Sequence, residues 1–172
     1  MPDFQNTLAE HHAAVASFIA TARVLTATDW TQARAPGKWS PAQVAEHVAM
    51  AYECSSAALR GKYPGASAPR LLRPLISTLF LKPVLRNGRF RAGAKAPGPF
   101  QPTASPAPAS MLLPRVQSAA DEFEAMLAAE LAQGHVTVDH PFFGPVALGD
   151  YLRLQVIHTD HHRRQLPGSA AG

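Results

Sequence analysis

The chain has 172 residues, of which 47% are hydrophobic and 16% charged, with a net charge of +4. That balance suits one domain around one core and excludes a disordered chain. A single cysteine, Cys54, excludes an intrachain disulfide and implies no oxidising compartment.

Asp3 and Glu10 interrupt any apolar leader segment. The most apolar run, Leu71 to Leu85, contains Arg73, Pro74, Lys82 and Pro83 and is shorter than the ~20 residues of a spanning helix. A cytoplasmic chain with no membrane partner is therefore expected. Arg34, Lys38, Arg86, Arg89, Arg91, Arg163 and Arg164 are scattered rather than gathered in a stripe with aromatic residues between them. No nucleic-acid partner is expected.

In chain order, Phe4, Leu8, Val15, Phe18, Ile19, Ala22 and Leu25 recur at intervals of three and four, which predicts a helix over about 2–27. Asp29 to Lys38, with Pro36 and Gly37, reads as a loop. Ser40-Pro41-Ala42-Gln43 is a helix start: Ser40 can cap, Pro41 needs no backbone donor at the first position, and Gln43 completes a capping box. The second helix then runs to about Arg60, before Gly61 and Pro64. Leu71 to Leu85 is expected to be partly helical, bent or ended by Pro83. Asn87 to Pro108 is a long Pro/Gly/Ala-rich loop. A third long helix is predicted over about 111–133, with Gly134 after it. His135 to Pro145 reads as a loop, and the last helix covers about 147–166. With no convincing strand pattern, the expected fold is all-α: a four-helix bundle in one domain, plus a short extra helix and the long loop.

The last helix carries His158-Thr159-Asp160-His161-His162. At about 100° per residue, His158 and His162 share one face a turn apart, and two imidazoles so placed can converge on one ion. Tyr151, Leu154 and Gln165 lie within the same arc, whereas Arg153, Asp160, Arg163 and Arg164 point the other way. On the second helix His47 sits between Val44 and Val48 on an apolar stripe and can supply a third ligand. Cys54 is seven residues further, roughly 10 Å along the axis at ~1.5 Å per residue, too far to share that ion. Spacing alone leaves His161 open as an outer group, an exposed residue or the true ligand. His140 either lines the site mouth or fixes the turn at Pro141. Trp39 reads as a packing anchor, and His11 and His12 as ordinary helical histidines.

Trp39-Ser40-Pro41-Ala42-Gln43-Val44-Ala45-Glu46-His47-Val48 resembles the start of the second helix in the DinB/YfiT-like superfamily. His140-Pro141-Phe142-Phe143-Gly144, followed by His158-x-x-x-His162 and Arg164-Gln165-Leu166, is similar to that superfamily's last loop and helix. The resemblance spans most of the chain, except Gly61 to Pro108. It implies a DinB-like four-helix bundle with a three-histidine metal centre on His47, His158 and His162, which makes His161 a non-ligand by resemblance rather than by geometry. His140, Tyr151, His161 and Gln165 are then candidates for the surroundings or mouth of the site. A divalent ion, zinc or nickel, suits imidazole ligands. Characterised relatives include S-transferases and isomerases that use low-molecular-weight thiols, so a thiol or another small molecule is the implied partner. The implied activity is metal-dependent thiol transfer or small-molecule hydrolysis. The alternative is a non-catalytic metal-binding or stress-associated bundle with a structural ion. Bundles of this family often pair, which makes a homodimer an expected assembly.

Overall fold

The computed structural model describes residues 4–91, 96 and 98–168. Four long helices make the bundle: α1 (Phe4–Arg23), α3 (Pro41–Leu59), α6 (Ala109–Ala132) and α7 (Leu148–Arg163). Helix α1 packs mainly on α7 and α3 mainly on α6, with α1 also meeting α6 and α3 also meeting α7. The four long helices therefore surround a shared core. Phe18, Tyr52, Phe123, Leu127, Tyr151 and Leu152 fill that core and are almost wholly buried. The Phe123 ring stands edge-on to Tyr151 at 5.0 Å and tilted to Tyr52 at 6.0 Å, tying α6 to α7 and α3.

The start of α3 follows its predicted chemistry. Ser40 Oγ accepts the Gln43 amide at 3.3 Å, and Gln43 Oε1 accepts the Ser40 amide at 3.0 Å, with Pro41 at the first helical position. This double cap fixes where α3 begins and hence the height of His47 in the bundle.

Two expectations are corrected, and one left open is decided. The segment after Asp29 does not begin as a loop, because Ala27–Thr31 forms a short helix, α2. Thr26 and Asp29 build a second capping box there, and Trp30 is buried with its indole N–H donating to the Ala107 carbonyl at 3.3 Å. Pro83 does not end its helix. The chain passes through a 3-10 turn at Arg70–Leu72, helix α4 (Arg73–Ile76), a π turn at Ser77–Leu81 and helix α5 (Lys82–Asn87). The wider π turn lies just before the residue that lacks an N–H, so the proline is accommodated rather than obeyed as a stop. Gly88, at φ 62°, then closes α5.

The second correction concerns His135 to Pro145. Strands β1 (Thr137–His140) and β2 (Gly144–Ala147) form an antiparallel hairpin with Thr137 opposite Ala147 and His140 opposite Gly144. Strands of four residues carry too little alternation to be read from sequence, and Gly144 and Pro145 argue locally for a turn. Long-range contacts hold the hairpin instead: Arg73 donates to Asp139 at 2.9 Å and to the Ala68 carbonyl at 3.0 Å, and the Ala68 amide donates to the Pro141 carbonyl at 3.0 Å. Of the long loop, Gly98–Phe100 forms a 3-10 turn, while the part of that expectation on residues 92–95 and 97 lies outside the described residues.

Candidate metal centre

His47 and the pair His158 and His162 come from facing positions on α3 and α7 and meet inside the bundle. The ring centroids are 5.0 Å apart for His47–His158, and 4.5 Å for both His47–His162 and His158–His162. Each ring offers one nitrogen, and the three nitrogens all lie within 4.8 Å of one another. His47 and His162 are 4% and 6% exposed.

The hydrogen bonds around the three rings determine which nitrogen faces inward. His47 Nδ1–H donates to the Phe100 carbonyl at 2.7 Å, which leaves Nε2 as a lone pair. Gln165 bridges two histidines: its amide donates to His161 Nε2 at 2.9 Å, and its Oε1 accepts from His162 Nδ1 at 3.1 Å. His162 therefore also presents Nε2 as a lone pair. The third ring is the telling one. His158 Nε2 is 3.1 Å from His47 Nε2, and His158 Nδ1 is buried with no partner. With its proton on Nε2, the orphaned Nδ1 lone pair goes unpaired. With its proton on Nδ1, two lone pairs face each other and the N–H is stranded. Neither tautomer satisfies the protein by itself, and a buried unmet polar atom costs about 1–3 kcal/mol.

A cation among the three nitrogens removes most of this conflict. Tetrahedral Zn–N bonds of ~2.0–2.1 Å put neighbouring ligand nitrogens roughly 3.3 Å apart, close to the His47–His158 separation. The residues fit a divalent ion. Burial pushes the pKa of His47 down and those of His158 and His162 well down, and the neighbouring imidazoles push in the same direction for all three. Neutral imidazole is the ligating form, so the site favours the state a metal requires.

Aromatic rings wall the centre. Trp39 lies 4.8 Å from His47 and stacks on His162 at 6.3 Å. Phe90 stands 5.6 Å from both His158 and His161, and Phe100 is edge-on to His47 at 6.5 Å. Trp39 was legible only as a packing anchor. Phe90 and Phe100 carried no signal, because they belong to the aperiodic middle of the chain. Hydrogen bonds to α3 locate that segment: Glu46 accepts the Thr103 amide at 2.7 Å and the Thr103 hydroxyl at 3.0 Å, and Gln43 donates to the Thr103 carbonyl at 3.2 Å.

The other candidate residues separate clearly. His161 is outside the triad, on the Gln165 amide and the Phe90 ring. His140 fixes the turn: its Nδ1 accepts the Phe142 amide at 3.1 Å, and its ring stacks on Phe143 at 4.5 Å and meets Tyr151 at 5.1 Å. Tyr151 is a core residue beside Phe123 rather than a wall of the centre. Cys54 is buried with its thiol pKa raised by burial, and its Sγ approaches the Pro99 carbonyl at 3.9 Å, outside the group of three histidines. A surface hollow of about 480 Å³ beside the hairpin, bordered by Tyr63, Arg73, Glu130 and Asp139, includes none of the three histidines.

His11 and His12 are less ordinary than they read. Glu124 Oε2 accepts from His12 at 2.7 Å and from His11 Nδ1 at 3.3 Å, and His11 Nε2 meets the Tyr52 hydroxyl at 3.0 Å, which meets Thr159 Oγ1 at 2.8 Å. Thr159 can donate to Tyr52, Tyr52 to His11, and His11 to Glu124, so every donor in this chain finds an acceptor. Unlike the triad, this cluster needs no ion.

Gln165 would reach a bound ion only through His162, which makes it a candidate positioning residue. Gln165→Leu is expected to leave the bundle folded and to weaken metal affinity about 10- to 100-fold, the usual effect of losing such a partner. Competition with a chromophoric chelator reads this directly. Unchanged affinity would mean the bridge does not orient the ring.

Solved structures share this architecture. YfiT from Bacillus subtilis, described as a probable metal-dependent hydrolase with an unusual four-helix bundle topology, superposes with a TM-score of 0.58 at 16% identity, covering 95% of this chain and 83% of its own. The four-helix bundle protein TT2238 superposes with a TM-score of 0.51 at 23% identity, covering 97% and 100%. No curated protein matches the sequence. The DinB superfamily model matches residues 10–166, nearly the whole chain, with the capped α3, the hairpin turn and the HxxxH helix inside the match. The chain belongs to the DinB superfamily.

Proposed function

We propose that this protein is a metal-dependent enzyme acting on a small molecule, with zinc or nickel held by His47, His158 and His162. One observation carries the reading: three neutral imidazoles converge with no carboxylate or thiol beside them among the described residues. Three neutral ligands leave the ion its full charge and at least one coordination position, the arrangement of catalytic rather than structural sites. A bound ion there supplies Lewis acidity and lowers the pKa of a coordinated water or thiol. The chain's own residues orient the ligands through Phe100 and Gln165, and Trp39, Phe90 and Phe100 keep bulk water from the rings. Two reaction types suit such a centre: hydrolysis, the description given for YfiT, and S-transfer from a low-molecular-weight thiol to an electrophile, implied by the family resemblance.

The test is metal analysis of untagged protein, followed by turnover assays with simple esters and with glutathione, bacillithiol or mycothiol plus an electrophile. Metal-dependent turnover abolished by His162→Ala supports the proposal. A stoichiometrically metallated protein inert in every assay favours the second reading, a non-catalytic bundle tied together by its ion. The close burial of His47 and His162 is the observation on that side. Stability separates the two further, since a structural ion makes unfolding strongly dependent on metal concentration.

A further inference from the structure

The middle of the chain has no acidic residue. Between Glu53 and Asp121 there is no Asp or Glu, yet ten of the 16 Lys and Arg residues fall there. The net charge of +4 thus conceals a strongly basic centre between acidic flanks. In the fold this centre holds the helical segment Arg70–Asn87. Its inner side puts Leu81 into the core, with Leu85 packed against it. Its outer side leaves Leu71 94%, Leu75 56%, Leu79 60% and Phe80 60% exposed. Single exposed apolar residues need no explanation, but these four on a single short segment, with Leu72 49% exposed beside them, do. Arg70, Lys82, Arg86, Arg89 and Arg91 are exposed along or just beyond the same segment, and none makes an ion pair among the described residues.

We propose that residues 70–91 dock on the surface of an anionic lipid bilayer, with Leu71, Leu75, Leu79 and Phe80 entering the headgroup boundary and the unpaired basic residues meeting lipid phosphates. Apolar burial and attraction to anionic lipid add in such a contact. A second copy of the chain is the weaker occupant. A symmetric pair would set this strongly basic segment, whose one acidic neighbour, Asp139, is already paired with Arg73, against itself. A nucleic acid would answer the charges but not the leucines, since bases stack on aromatic rings. A bilayer answers both. No helix of the described residues is long and apolar enough to cross a membrane. Surface docking needs none, and it replaces the expectation of no membrane partner, which rested on the lack of a span.

The experiment is flotation of the full chain with vesicles of phosphatidylcholine, alone or mixed with phosphatidylglycerol. Binding to the mixed vesicles is expected to be at least about tenfold tighter, and to weaken as salt is raised. Leu79→Ser with Phe80→Ser, both at exposed positions, is expected to reduce it about tenfold. Arg86→Glu with Arg89→Glu is expected to remove the preference for anionic lipid. Failure to float with either vesicle, or equal binding to both, overturns the proposal. So does a dimer in light scattering that the Leu79/Phe80 double variant dissociates, which would assign the face to a second copy.

Discussion

His158→Leu is expected to change stability in opposite directions in the metal-loaded and metal-free protein. In the loaded protein one of three ligands disappears. Structural zinc sites bind with about 10–16 kcal/mol from four ligands, so one ligand is worth about 3–4 kcal/mol, or roughly a hundred- to a thousandfold in affinity. Loaded stability falls accordingly. In the metal-free protein the same substitution removes a buried imidazole whose Nδ1 has no partner and whose Nε2 has only the His47 Nε2, 3.1 Å away. Replacing such a group with an apolar one of similar size is expected to raise stability by about 1–3 kcal/mol. His161→Ala, which removes a ring that bonds the Gln165 amide and packs on Phe90 and His162 but gives the triad no nitrogen, should keep stoichiometric metal. Denaturant unfolding with and without a chelator measures both arms. Destabilisation of equal size in the two states would mean that the imidazoles are a satisfied core cluster and not a site arranged for an ion.

The meeting of the three histidines was largely legible because two of them lie on one helix. The spacing of His158 and His162 fixes their relative position whatever the rest of the chain does, and Ser40, Pro41 and Gln43 fix the register of His47 from local chemistry alone. His161 shows the limit of that reading. Rotation about a helix could not decide between it and its neighbours; the family resemblance pointed one way, and the Gln165 bridge now accounts for its place. The walls were not legible at all. Phe90 and Phe100 sit in a stretch without periodicity, and what seats it is the contact of Thr103 with Glu46 and Gln43, some sixty residues away in sequence. Helix α2 is a different kind of miss. Thr26 and Asp29 carry the same capping pattern as Ser40 and Gln43, but five residues offer too few apolar positions for periodicity to support them. The hairpin failed for the opposite reason, since its strands are held by Arg73 and Ala68 rather than by any preference of their own.

Acid is expected to destabilise the metal-free protein well before its carboxylates titrate. Burial is the largest cause of the lowered pKa of His11, His47, His140, His158 and His162, and it pushes His140 down to about 4. A histidine whose pKa is lower folded than unfolded binds more protons when unfolded, so stability rises with pH across the interval. Its contribution is complete above the unfolded value near 6.5 and is lost as pH falls toward the folded one. For His140 that interval runs from about 6.5 to about 4 and corresponds to on the order of 3 kcal/mol. The other four act in the same direction. Unfolding free energies at about pH 7 and about pH 6 weight the histidines over the carboxylates, because ordinary Asp and Glu values lie near 4 and the free imidazole value near 6.5. His140→Asn, which keeps an acceptor for the Phe142 amide but does not titrate, should make the slope shallower. A metal-free protein equally stable at both values would mean that these rings are reached by water and protonated in the native state, and a centre built from neutral imidazoles would lose its physical basis.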